Sequence, residues 1–199
     1  MPSNRLFGPS GAPGTAGLLA LNTAGAAAAV LPALQVVATT TETVILNPAL
    51  ASSTQALVLS IPPGSLLEQR PFDVVASGYV STGASSTVTI KLYSGTSTTV
   101  GSDTLLGTTG AITAFSGKCP WYLKATLVYD SVSGKLGGTV KALVNNTLVA
   151  EAAISNVITG ISNAGASATL PVLSFVLSIT FGTANAANTI NVQDFCVNF

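Results

Sequence analysis

The chain has 199 residues, enough for one β domain with a sizeable core and an arm, and only 7% of them are charged, against about 25% in an ordinary soluble domain. Seven Lys+Arg balance seven Asp+Glu, and 48% of the chain is apolar, which excludes a disordered polymer and leaves solubility to Ser, Thr and Asn. Neutralising phosphates takes clustered cations, whereas Arg5, Arg70, Lys91, Lys118, Lys124, Lys135 and Lys141 are dispersed, so neither a nucleic-acid partner nor the basic arm of a small RNA-virus coat protein is expected.

Residues 1–41 read as an extended N-terminal arm. Gly8, Gly11, Gly14 and Gly17 recur at every third position with Pro9 and Pro13 between them, a collagen-like phase too short for a free triple helix. Leu18–Val37 is uncharged and has the composition of a membrane span or leader. Asn22, Thr23, Gly25, Pro32 and Gln35 interrupt it, and Arg5 is the only cation upstream. The sequence also opens at Met1, and no membrane span is assigned. The expectation is an arm that buries apolar surface against another protein chain through Arg5, Phe7, Leu18, Leu19, Leu21, Val30, Leu31 and Leu34. A short helix in Ala26–Ala29 would end before Pro32.

Residues 42–199 carry strand signals at regular spacing. Glu42–Asn47 and Gln55–Ile61 are short candidates. Phe72–Val80 and Ser86–Tyr93 read as a hairpin pair through Ser81–Ser85. Ser94–Gly110 reads as a loop with a short strand near Leu105. Cys119–Asp130 alternates strictly, with Trp121, Leu123, Ala125, Leu127 and Tyr129 on one parity. It turns through Ser131–Lys135 into Leu136–Val144, and Asn145–Asn146 turns that strand into Thr147–Ile154. Ser155–Pro171 is rich in Gly, Ser and Ala and reads as irregular. In Val172–Phe181, Leu173, Phe175, Leu177, Ile179 and Phe181 share one face, with Ser174, Ser178 and Thr180 opposite. Gly182–Asn188 then turns the chain back into a last strand. Ile190 and Val192 fit one parity and Phe195, Val197 and Phe199 the other, so a β-bulge near Gln193–Asp194 is required to put both sets on the core. These elements predict an all-β fold, an antiparallel two-sheet sandwich of the jelly-roll type following the arm, with a different Greek-key sandwich as the near alternative.

Catalytic signals are missing. The chain has no histidine, which removes the usual base for a Ser or Cys nucleophile and the commonest zinc ligand. S-x-x-K, G-x-S-x-G and Walker A patterns are absent. Glu42, Glu68, Asp73, Asp103, Asp130, Glu151 and Asp194 are isolated in sequence, mostly at turns or strand ends where solvated carboxylates are expected. Asp103 and Asp130 have no D-x-D spacing for calcium. No enzyme activity, metal or cofactor is therefore assigned. Trp121 shares the core parity of its strand and reads as packing, whereas Tyr79, Tyr93 and Tyr122 lie on the opposite parity and are the candidates for a sugar-stacking face. Cys119 and Cys196 either bridge or remain two buried thiols, the simpler reading. Asn145-Asn-Thr147 matches a glycosylation sequon.

The body, residues 42–199, resembles the small jelly-roll cement or decoration proteins of tailed-bacteriophage heads. FDVVASGYVSTGASSTVTIKLYSG, the WYLKATLVYD–SVSGK–LGGTVKALV hairpin and the closing INVQDFCVNF carry the resemblance through their Ser/Thr/Ala/Gly-rich strands, minimal charge and Asn-rich end. It implies a non-enzymatic virion structural protein on the capsid surface, assembled in the host cytoplasm. It also implies a homotrimer that binds the major capsid protein and reinforces joints between capsid subunits. Two other readings stand beside it: a fibre-head or receptor-binding module whose loops 94–118 and 155–171 face a host glycan, and a secreted adhesin or pilin-like subunit.

Overall fold

The alternation in Cys119–Asp130 sets the pattern for the whole body. Cys119, Trp121, Leu123, Ala125, Leu127 and Tyr129 point inward and are buried, while Pro120, Tyr122, Lys124, Thr126 and Val128 point outward and are half-buried. A β-strand turns successive side chains to opposite faces, so this segment can serve only as one wall of a layered core. The computed structural model describes residues 35–46, 56–61, 70–83, 86–95, 100, 103–113, 117–130, 135–154 and 173–199. Among them are eleven strands: β1 (Gln35–Val36), β2 (Thr43–Val44), β3 (Val58–Ile61), β4 (Pro71–Ser81), β5 (Val88–Gly95), β6 (Thr104–Thr108), β7 (Cys119–Asp130), β8 (Lys135–Val144), β9 (Thr147–Ile154), β10 (Leu173–Phe181) and β11 (Thr189–Asn198).

The strands form two antiparallel sheets packed as a sandwich. Sheet I runs β1-β11-β4-β7-β8-β9, and sheet II runs β2-β10-β5-β6 with β3 also paired to β10. Following the chain, β1 lies in sheet I, β2 and β3 in II, β4 in I, β5 and β6 in II, β7 in I, β10 in II and β11 in I. This alternation is that of a jelly roll, and β8–β9 is a hairpin added beyond β7 at the edge of sheet I. Asn145 and Asn146 make its turn with φ of 51° and 60°, the left-handed pair that matches strand twist in a two-residue hairpin.

Two expectations from sequence are corrected. β4 and β5 are not a hairpin, and β10 and β11 do not pair; each couple spans the two sheets. Stacked sheets lie about 10 Å apart, and the described ends of the first link, Gly83, Ser86 and Thr87, are hydrogen-bonded to Gly182–Asn188 of the second. The buried Asn188 side chain accepts from Gly83 N at 2.8 Å and donates to Thr183 O at 2.8 Å. Gly182 N donates to Thr87 O at 2.9 Å. Alternation gives a strand's inner face but not its neighbour, and small polar residues suit a crossing as well as a turn. β10 is also not half-buried. Ser174, Val176 and Ser178, on the parity opposite Phe175 and Leu177, are buried too, so both faces of this strand are covered.

The bulge expected near Gln193 is present: Val192 pairs with Gly78 and Asp194 with Ser77, leaving Gln193 unmatched. Ile190, Val192, Phe195 and Val197 all reach the core as a result. Full burial of each side chain of this size contributes about 1.5–3 kcal/mol.

Gln35–Leu46 closes one side of the sandwich as a strap. Val36 pairs with Thr189 in sheet I, and Thr43 and Val44 pair with Ile179 and Ser178 in sheet II. The Gln35 amide oxygen accepts from Leu46 N at 2.9 Å, binding the two ends of the strap together. Gln35–Thr41, read from sequence as arm, thus belong to the body. Residues 1–34, with every proposed arm contact from Arg5 to Leu34, the glycine repeat and the Ala26–Ala29 segment, lie outside the described residues. Ser155–Pro171 does too.

Candidate functional site

The outer faces of the two sheets differ. On sheet II the register places Lys91 beside Ser178 and Tyr93 beside Val176, and Glu42 of the strap lies over them. Lys91 Nζ is 2.7 Å from Glu42 Oε2. The Tyr93 hydroxyl donates to Glu42 Oε1 at 2.7 Å, and the Ser178 hydroxyl donates to the same oxygen. Burial pushes the Glu42 carboxyl up, but the bonds from Lys91, Ser178 and Tyr93 outweigh it and hold the group below its ordinary value. Lys91 is raised by its bond to Glu42, against the opposing effect of burial. Burial, then Glu42, raises Tyr93. Lys91, Tyr93 and Ser178 all donate to the one strap carboxylate, so the arrangement is a clasp. Tyr93, expected at the surface, is buried here because Glu42 reaches across to its hydroxyl.

Among the described residues nothing covers the outer face of sheet I, and its registers fix a lattice of side chains there. One row reads Val36–Thr189–Ser81, the next Asn191–Tyr79–Pro120, and the third Asp194–Ser77–Tyr122–Leu143–Leu148. Below them run Cys196–Val75–Lys124–Lys141–Glu151 and Asn198–Asp73–Thr126–Thr139–Ala153. An oblique apolar run therefore crosses β4, β7, β8 and β9 from Tyr79 through Pro120 and Tyr122 to Leu143 and Leu148, and Val36 lies beyond it, across Thr189 and Asn191 of β11. Val36 is 56% exposed, Tyr79 39% and Leu148 53%. Tyr79 and Tyr122 are diagonal neighbours, at a spacing on the order of 7 Å. Burial raises the Tyr122 hydroxyl, with nearby Lys124 opposing.

The charges below the band are matched within the chain. Lys124 Nζ lies 2.8 Å from Asp73 Oδ2, and Lys141 Nζ lies 2.9 Å from Glu151 Oε1. The Thr126 hydroxyl donates to Asp73 Oδ1 at 2.7 Å. Asp73 and Asp194 are four strand steps apart, roughly 13 Å, outside the span of about 5–10 Å that paired carboxylates need for glycosidic chemistry. Among the described residues no three His, Cys, Asp or Glu side chains gather into a metal-binding group, and no helix is long and apolar enough to cross a membrane. Trp121 is buried as expected, and both cysteines are free thiols, Cys119 buried and Cys196 half-buried on the open face. Sequence reasoning missed Val36, Pro120, Leu143 and Leu148. The Asn145–Asn146 turn carried the missing signal, because it fixes Leu143 opposite Leu148. It missed Glu42 as well, which reads as an exposed acid until its partners are known.

No protein-family model matches the chain, and no curated protein matches it. Among solved structures the chain is similar to the CBM2 module of the evolved Dit of Lactobacillus casei BL23 phage J-1, at 11% identity and a TM-score of 0.32, over 71% of this chain and 67% of that one. A likeness at this level decides nothing about function.

Proposed function

We propose that this chain is a non-enzymatic virion structural protein of the capsid cement or decoration kind, which binds the major capsid protein at the capsid surface and reinforces joints between shell subunits. The observation that carries the reading is the strap. An arm that anchors a body to a shell has to pass its load into that body. Here the segment directly after residues 1–34 adds a strand to one sheet, crosses to the other and is clasped there by Glu42. Attachment then rests on apolar burial along Leu18–Leu34 and on main-chain bonds from strand addition. The test is deletion of residues 1–34, which leaves the strap whole, followed by co-sedimentation with particles that lack the protein. Loss of particle binding with an unchanged melting temperature is expected; undiminished binding would remove the anchoring role.

A fibre-head or receptor-binding reading is favoured by one feature, the diagonal pair Tyr79 and Tyr122, on which sugar rings can stack. The same deletion separates the two, since a glycan binder keeps its ligand without the arm.

A further inference from the structure

We infer that the open face of sheet I is a contact surface between copies of this chain. This goes beyond the virion reading and does not depend on it. The run Tyr79–Pro120–Tyr122–Leu143–Leu148 is contiguous over β4, β7, β8 and β9, and together with Val36 on the edge strand it holds three of the five exposed large hydrophobic side chains of the described residues, the others being Leu105 and Phe199. Scattered apolar residues on a surface are ordinary, whereas a contiguous run with a polar surround marks an interaction site.

The chemistry of the face selects its occupant. Lys124 and Lys141 are already bonded to Asp73 and Glu151, so they offer nothing to phosphate or to an acidic partner. Pro120, Leu143 and Leu148 flank Tyr122 with surface that gives sugar hydroxyls no partner, which leaves hydroxyl and amide neighbours (Ser77, Ser81, Asn191) at the Tyr79 end alone. The other charges of the face lie at its margins: Asp194 on β11, where it accepts from the Cys196 thiol, and Asp130 and Lys135, which stand opposite each other at the ends of β7 and β8. The best complement to such a neutral band is another neutral apolar band, and the chain supplies one with every copy. Its formal net charge is zero, so no long-range repulsion keeps copies apart.

The area is also adequate. β1 to β9 spans five strand gaps of about 4.8 Å, and Asp73 to Ser81 covers eight steps of about 3.3 Å. The face thus offers on the order of 600 Å², comparable with the ~800 Å² per partner of a standard interface. Facing sheets pack in this way in sandwiches, with the aromatic and aliphatic residues at the centre and the paired charges at the rim.

Sedimentation equilibrium of the full chain over a wide concentration range tests the proposal, with Tyr79→Lys and Leu148→Lys as variants. Both side chains are exposed, so the fold survives their replacement, and a melting curve checks that it does. The control is Leu105→Lys, 43% exposed on β6 of the other sheet. Self-association is expected in the parent chain, weakened at least about tenfold by each face variant, near 1.4 kcal/mol, and untouched by the control. A native reporter gives a second readout: Cys196 lies on this face while Cys119 is buried, so maleimide labelling of Cys196 should slow as concentration rises. A chain that stays monomeric throughout would overturn the proposal, as would association indifferent to both face variants or lost equally in the control. A monomer that binds a β-glucan oligosaccharide, and loses it in Tyr79→Lys, would reassign the face to glycan.

Discussion

Glu42 and Lys91 meet at 2.7 Å across two elements, the strap and β5, that the chain separates by the whole of β3 and β4. The strap residue is held by a strand from the middle of sheet II, and Ser178 and Tyr93 complete the clasp. Hydrogen bonds to a charged group contribute about 1.5–3 kcal/mol each when partly buried. Glu42→Gln keeps the shape and loses the charge, so a loss of roughly 2 kcal/mol is expected in urea unfolding at neutral pH.

The pH dependence of the same clasp has a definite sign. Glu42 titrates below its ordinary 4.5, so its contribution is present above that value and lost as the solution is acidified through the lower, folded one. Lys91 is raised above its ordinary 10.5, so its contribution is present below 10.5 and lost as pH climbs through the folded value. Comparison of urea midpoints of the parent chain and Glu42→Gln should show a difference that is largest near neutrality and shrinks in acid. A constant difference would mean that the carboxylate charge plays no part.

Gly78 is required by the bulge. A Cβ there would stand 1.9 Å from Asn191 O, at the position paired with Val192 where the register shifts. Gly78→Ala should cost about 3 kcal/mol or more, at the upper end of overpacking. Gly137→Ala is the contrast, since its nearest neighbour would be Ile154 O at 3.5 Å. Equal melting temperatures for the two variants would contradict this account.

The extent to which these features can be read from sequence follows from the physics of each. β7 and the bulge are legible because core parity is a local property: Trp121, Leu123 and Leu127 alternate, and Phe195 falls out of phase with Val192. The passages from β4 to β5 and from β10 to β11 between the sheets are not, because what ties them together is Asn188 bonding to Gly83, a contact between residues remote in the chain. The burial of Tyr93 and Ser178 depends in the same way on Glu42 arriving from the strap. The apolar band lies between these cases: its Leu143–Leu148 half follows from one turn, and its Tyr79–Tyr122 half needs the sheet order.

Trp121 lies opposite Gly78 and Val144 on the inner face of sheet I, and its indole Nε1 is buried with no hydrogen-bond partner among the described residues. A buried unsatisfied donor costs about 1–3 kcal/mol. Trp121→Phe removes that donor along with some packing volume, so the two effects oppose each other and the net loss should stay within about 1 kcal/mol. Trp121→Ala leaves a cavity and should cost about 3–5 kcal/mol. Thermal unfolding followed by circular dichroism distinguishes them, and a Phe variant as damaged as the Ala variant would show that the indole N–H is in fact satisfied.

Salt offers the last discrimination. The described ion pairs, Lys91–Glu42, Lys124–Asp73 and Lys141–Glu151, all lie within the chain, which commits three of its seven cations internally. Exposed charges more than about 10 Å apart are screened at moderate salt, whereas apolar burial is strengthened by excluded salts such as sulfate. If attachment to a particle rests on the uncharged stretch Leu18–Leu34 and on backbone bonds, raising salt should leave the protein on the particle, and urea or guanidinium should remove it. Pelleting particles through increasing salt and then increasing urea reads both outcomes from the same preparation. Release by salt alone would place the binding energy in charges, and the apolar anchor would have to be abandoned.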